Sequence, residues 1–194
     1  MLARLMDLTD RGSRYLAIAG GWPVLLLSVM IGVDVVGRKL MNLSVQGSDE
    51  VGGYVMAVCC AFGFAYGLTK RSHIRLNLVL PYMPKGFQTL ANAVAHVVLA
   101  LFGYMMLWQM VDMMLDSLRL HAVAPTPLQT PLAIPQALCA LGMAYFAFQI
   151  TLYLVRGCAL LLAGKMAEFN RLFGVETAQK EAEAELQETQ VVVR

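Results

Sequence analysis

The side chains of this 194-residue chain that could do chemistry are few, and most stand at the ends of apolar runs. Cys59, Cys60, Cys139 and Cys158 form no CxxC pair, and no Cys/His spacing suits zinc. Lying inside apolar segments, these thiols read as small hydrophobes. Of His73, His96 and His121 only His96 falls within an apolar run, which offers poor support for paired haem ligands and suits a histidine satisfied by a hydrogen bond. Asp34 and Arg38 stand four residues apart, where an ion pair on one helical face is easy; local neutralisation is the plainer reading and an ion site the sharper one. Asp49 and Glu50 open another apolar run. There the dipole of a helix start favours negative charge, and a cation site would need a third ligand that the sequence does not show. Gln109, Asp112, Asp116 and Arg119 make one polar stripe, either a solvated face or a docking face for a partner. No nucleophile–base pair accompanies any of these, so no enzyme is expected.

The elements that would position these residues are membrane spans. Hydrophobic residues make up 58% and charged residues 14% of the chain, against roughly 25% charged in a soluble domain. Its mean hydropathy is +0.61. We expect an all-α membrane protein with four transmembrane helices near residues 15–36, 50–69, 90–115 and 135–156, in a membrane domain covering 1–175. A polar, soluble tail follows over 176–194. Met1 to Arg14 alternates apolar and charged residues, as an interfacial helix would. The apolar run from Tyr15 is too long for a typical signal-peptide core and lacks an A-x-A-like site, so it reads as an uncleaved first span. A polar linker ends at Ser48, a candidate N-cap.

The second span carries small residues every fourth position, Gly53, Ala57, Ala61 and Ala65, with Gly63 and Gly67 on an adjoining face. In lipid, where hydrophobic drive between helices is weak, small residues allow close backbone approach, and this span suits packing against neighbours. The cluster Lys70 to Arg75 closes it, and Pro81 and Pro84 break the helix beyond. A third helix from Gly86 to Leu120 would be about 50 Å long, so it tilts or projects from the bilayer. The proline-rich stretch His121 to Pro135 reads as a stiff loop, with Pro135 in the first turn of the fourth helix. Ala159 to Phe173 resembles an interfacial continuation.

Charge placement predicts orientation. With the N-terminus inside, twelve Lys and Arg side chains face the cytoplasm and only Arg38, Lys39 and Arg119 face out. The positive-inside rule then gives N-in, C-in, with the basic ends positioned to meet anionic phospholipids.

The order of short motifs resembles the DctQ family, the small membrane subunits of tripartite ATP-independent periplasmic (TRAP) transporters. The residues that carry the resemblance are Asp34-Val-Val-Gly-Arg38, a ten-residue linker, Asp49-Glu50, and His73-Ile74-Arg75-Leu76-Asn77 after the second span. Thr126-Pro127-Leu128 and Ile134-Pro135 before the last span add to it. Asn77 stands where the family usually has Asp, and Gly47-Ser48 replaces its usual Trp. The resemblance implies a multi-pass protein of the bacterial inner membrane that binds and stabilises a large, sodium-coupled elevator subunit during organic acid uptake. It also implies a part in docking the periplasmic substrate-binding protein, for which Asp112, Asp116 and Arg119 are candidates. The coupling sodium is expected in the large subunit, with no cofactor and no nucleic acid here. The rival readings are an autonomous homo-oligomeric transporter and a four-span haem or quinone redox subunit.

Overall fold

The computed structural model describes residues 2–41, 47–70 and 84–173. They form α1 (Leu2–Met41), α2 (Ser48–Thr69), α3 (Lys85–Arg119), α4 (Ala133–Leu162) and α5 (Met166–Phe173). The first four are long and apolar enough to cross a membrane. All regular structure among the described residues is helical, apart from one antiparallel bridge between Val123 and Pro131.

Two expectations need correction. Met1 to Arg14 is not a separate interfacial helix: α1 runs unbroken from Leu2 to Met41, about 60 Å. Nothing at Arg14 and Tyr15 interrupts the ladder, and even Pro23 lies inside the helix. A proline removes one intrahelical bond, which a membrane helix tolerates when neighbours or local adjustment satisfy the freed carbonyl. Ser48 is not the N-cap of α2 but its first residue. The cap is Gly47, at φ +87, with no side-chain capping bond; its carbonyl accepts from Val51 N–H at 3.0 Å.

The contacts divide the chain into two compact units, Met1–His73 with Val97–Arg156, and Ile74–His96 with Gly157–Arg194. In the first unit α4 is the central helix: half of its apolar window is buried, against 11% for α1. Its backbone comes very close to α2. A Cβ on Gly142 would lie 2.9 Å from the carbonyl carbon of Ala61 and 2.7 Å from the Phe62 ring. On α1, a Cβ at Gly20 would stand 3.3 Å from Cys59 Cα. Helices in lipid gain stability by such approach, because dispersion rather than water exclusion drives their contact. Phe146 fills the space between, buried, its ring 5.8 Å from that of Phe64.

The exposed face of α3 is apolar through Leu101, Met105 and Trp108, then turns polar at Gln109, Asp112 and Asp116. His121, at φ +47, ends the helix in the left-handed conformation usual for glycine. Ala122 N–H reaches back to Ser117 O at 2.9 Å, a six-to-one closure that satisfies an end carbonyl. The following loop is ordered by Ala124 N–H to Thr130 O (3.0 Å) and Leu132 N–H to Ala122 O (3.1 Å).

In the second unit, α4 stops at Gly164 (φ +69), with Lys165 N–H on Leu160 O at 3.0 Å. This glycine turn separates α5 from the α4 helix it would otherwise continue. The buried face of α5 presents Phe169 and Phe173 to Gly157, and the Phe173 ring stands edge-on to His96 at 4.4 Å. His96 Nδ1 lies 3.0 Å from Asn92 O, and Asn170 donates to Thr89 Oγ1 at 2.8 Å.

Candidate functional site

Within the first unit, polar side chains converge at the two ends of α2. At its C-terminal end the Asp10 carboxylate of α1 accepts from three donors on two other helices. Thr69 Oγ1 (α2) lies at 3.2 Å, Gln149 Nε2 (α4) at 2.8 Å and Tyr153 OH (α4) at 3.1 Å. Gln149 Nε2 also donates to Thr69 Oγ1 at 2.8 Å, and Ser13 Oγ stands 3.0 Å from the same hydroxyl. One turn up, Tyr145 OH donates to Thr9 O at 2.8 Å. Gln149 and Ser13 are fully buried and Asp10 half-buried. In a weakly polarisable environment hydrogen bonds are stronger than in water, so this layer locks α1, α2 and α4 in register.

At the N-terminal end of α2, Glu50 Oε1 accepts from Tyr54 OH at 2.9 Å, and Glu50 Oε2 accepts from the Thr126 hydroxyl in the loop before α4. Leu128 of the same loop lies over Gly47: a Cβ there would meet Leu128 Cδ1 at 2.1 Å. The positive φ favours glycine at position 47, and a larger residue there would also have to displace the Leu128 side chain. The motifs Asp49-Glu50 and Thr126-Pro127-Leu128, far apart in sequence, thus form one joint. Asp49 stays exposed.

The other candidate residues fall as follows. Arg38 pairs with Asp34 across one turn of α1; Asp34 is buried and Arg38 exposed. Ala61 and Ala65 are buried within this chain, while Gly53 and Ala57 are exposed and Gly67 is half-buried. No atom would meet a Cβ added at Gly53 or Gly63 within 4 Å. So the small-residue face is split: part meets the chain's own helices and part is open. Asp112, Asp116 and Arg119 are exposed near the C-terminal end of α3, with Arg119 Nη1 3.5 Å from Asp116 Oδ1. His73, Arg75 and the tail over 176–194 lie outside the described residues. Among those described, no group of three or more His, Cys, Asp or Glu could hold a metal, and no disulfide links the cysteines.

Sequence reasoning passed over Asp10, Ser13, Thr69, Gln149 and Tyr153. The signal was present in α4, where Tyr145, Gln149 and Tyr153 recur every fourth residue and so share one face of an otherwise apolar helix.

Four long apolar helices, joined at both ends of α2 by buried or half-buried polar groups, define a small polytopic membrane protein. The model of the family described as "Tripartite ATP-independent periplasmic transporters, DctQ component" matches residues 27–160. The chain belongs to that family and is a small membrane component of a TRAP transporter. The matched region spans the Asp34–Arg38 pair, the Glu50–Thr126 joint and most of α4. No curated protein and no solved structure matches the chain.

Proposed function

We propose that this chain is the non-catalytic scaffold of its transporter. It holds a large sodium-coupled elevator subunit in the inner membrane while a periplasmic binding protein delivers an organic acid. The observation that carries this reading is the use of the polar groups. Asp10, Thr69, Gln149, Tyr153, Glu50 and Thr126 bond one another and tie the chain's own helices together. A transport path would instead turn such groups toward a cavity at mid-membrane depth, on broken helices. On this reading the chain lies N-in, C-in, in keeping with the charge asymmetry. The open part of the small-residue face, Gly53, Ala57 and Gly63, receives the large subunit. The exposed Asp112, Asp116 and Arg119 face the binding protein, and the basic end meets anionic phospholipids.

Reconstitution tests it. Proteoliposomes holding this chain alone should show no uptake, and sodium-driven uptake should appear when the large subunit and the binding protein are added. Uptake by this chain alone would replace the scaffold with an autonomous transporter.

A further inference from the structure

The Asp10 layer fixes where the cations at that end of the first unit stand. Lys70 follows Thr69 directly, Arg11 and Arg14 lie within about a turn of Asp10, and Arg156 is one turn beyond Tyr153. Two carboxylates of α1 stand at the same end: Asp10, which accepts from Thr69, Gln149 and Tyr153, and the exposed Asp7.

Arg156 is the exception among these cations. Lys70, Arg11 and Arg14 are exposed, but Arg156 is half-buried at the seam of α1 and α4. Its guanidinium meets Met6 Sδ at 3.7 Å, and among the described residues no carboxylate lies within ion-pair distance of it. A thioether is a weak acceptor and leaves a cation nearly uncompensated. A cation so placed lies at headgroup depth, where its natural counter-ion is a phosphate.

We propose that Arg156, at the α1–α4 seam beside Met6, is the phosphate ligand of an anionic phospholipid. The planar guanidinium fork suits two phosphate oxygens. The glycerol and acyl portions would then run along the apolar surface of α4 beside Val155. Arg11 and Arg14 add longer-range attraction at the same level. This rests on the membrane-subunit reading and deepens it, replacing a general preference for acidic lipid with one ligating side chain.

The test uses the purified full chain in a neutral detergent. Binding of phosphatidylglycerol and of phosphatidylcholine is measured by native mass spectrometry, and each lipid's effect on thermal unfolding is followed. Wild type should bind and be stabilised by phosphatidylglycerol over phosphatidylcholine. Arg156→Gln should lower that preference about fivefold, the contribution of one headgroup cation. Lys39→Gln, at the other end of α1, should not. Arg156→Lys, which keeps the charge without the fork, should fall between. No preference in wild type would overturn the proposal even if Arg156→Gln failed to fold. So would equal preference in wild type and Arg156→Gln. Stabilisation by inorganic phosphate matching that by phosphatidylglycerol would assign Arg156 to a solution anion instead. If Arg156→Gln lost the large subunit while keeping the lipid preference, the counter-ion would be a partner carboxylate, which also overturns it. If affinity purification from native membranes found no large partner while the Arg156-dependent lipid preference held, the scaffold would fall and this site would stand.

Discussion

The two ends of α2 each anchor a carboxylate, and they do so in opposite ways. At the Thr69 end the acid comes from another helix, α1, and is shared among side chains of α2 and α4. At the Glu50 end the acid belongs to α2 itself and holds a loop, through Thr126 and the Leu128–Gly47 contact. The first is a layer between helices, with Gln149 and Ser13 wholly buried; the second is a clasp on the surface. The difference teaches that the same charge does different work according to how many elements its acceptors reach. A third acidic region, Asp112 and Asp116 on α3, is exposed, and its one ion pair among the described residues, Asp116 with Arg119, lies within that helix.

Substitutions can break or sharpen this contrast. Asp10→Ala should have the largest effect. It removes the acceptor that Thr69, Gln149 and Tyr153 share, costing about 3 kcal/mol, read as a lower unfolding temperature of the purified chain. Gly47→Ala should cost about 2 kcal/mol through its positive φ and the displaced Leu128. It should also loosen only the loop, so that protease cutting near Thr126 rises while the helical signal holds. Arg38→Ala removes one partner of the buried Asp34 carboxylate and should cost about 1 kcal/mol, seen as a smaller shift in unfolding temperature. Asp116→Asn should leave stability unchanged, since an exposed pair at 3.5 Å contributes little. If Asp116→Asn matched Asp10→Ala, the distinction between a shared and a solvated carboxylate would collapse.

Much of this was legible in the residues. Span number and rough placement followed from apolar run length. The Asp34–Arg38 pair followed from helical spacing, and the order of short motifs pointed to the family. The ordered proline loop was visible in composition, and the glycine turn before α5 leaves that segment adjacent to, not continuous with, α4. What stayed hidden depended on contacts distant in sequence. Asp10 reads as one charge in an alternating N-terminal stretch until α4 is seen to lay Gln149 and Tyr153 beside it. Ser48 is a fair cap by type, but Gly47, at positive φ beneath Leu128 from 81 residues away, takes the cap position and Ser48 becomes the first helical residue. The unbroken α1 was missed because charge alternation suggested an interface, whereas the backbone pattern contained no stop signal at all.

The small-residue face of α2 bears on the central claim most directly, because it separates folding from assembly. Ala61 is buried against Gly142, whereas Gly63 has nothing within 4 Å of its missing Cβ. The decisive measurement is affinity purification of wild type and Gly63→Leu from native membranes, with mass spectrometry of what accompanies each. The scaffold account predicts a large polytopic subunit at equal stoichiometry with wild type. It predicts much less of that subunit with Gly63→Leu, while the variant's own yield and unfolding temperature stay unchanged. A wild-type chain that purifies only with copies of itself would contradict the account.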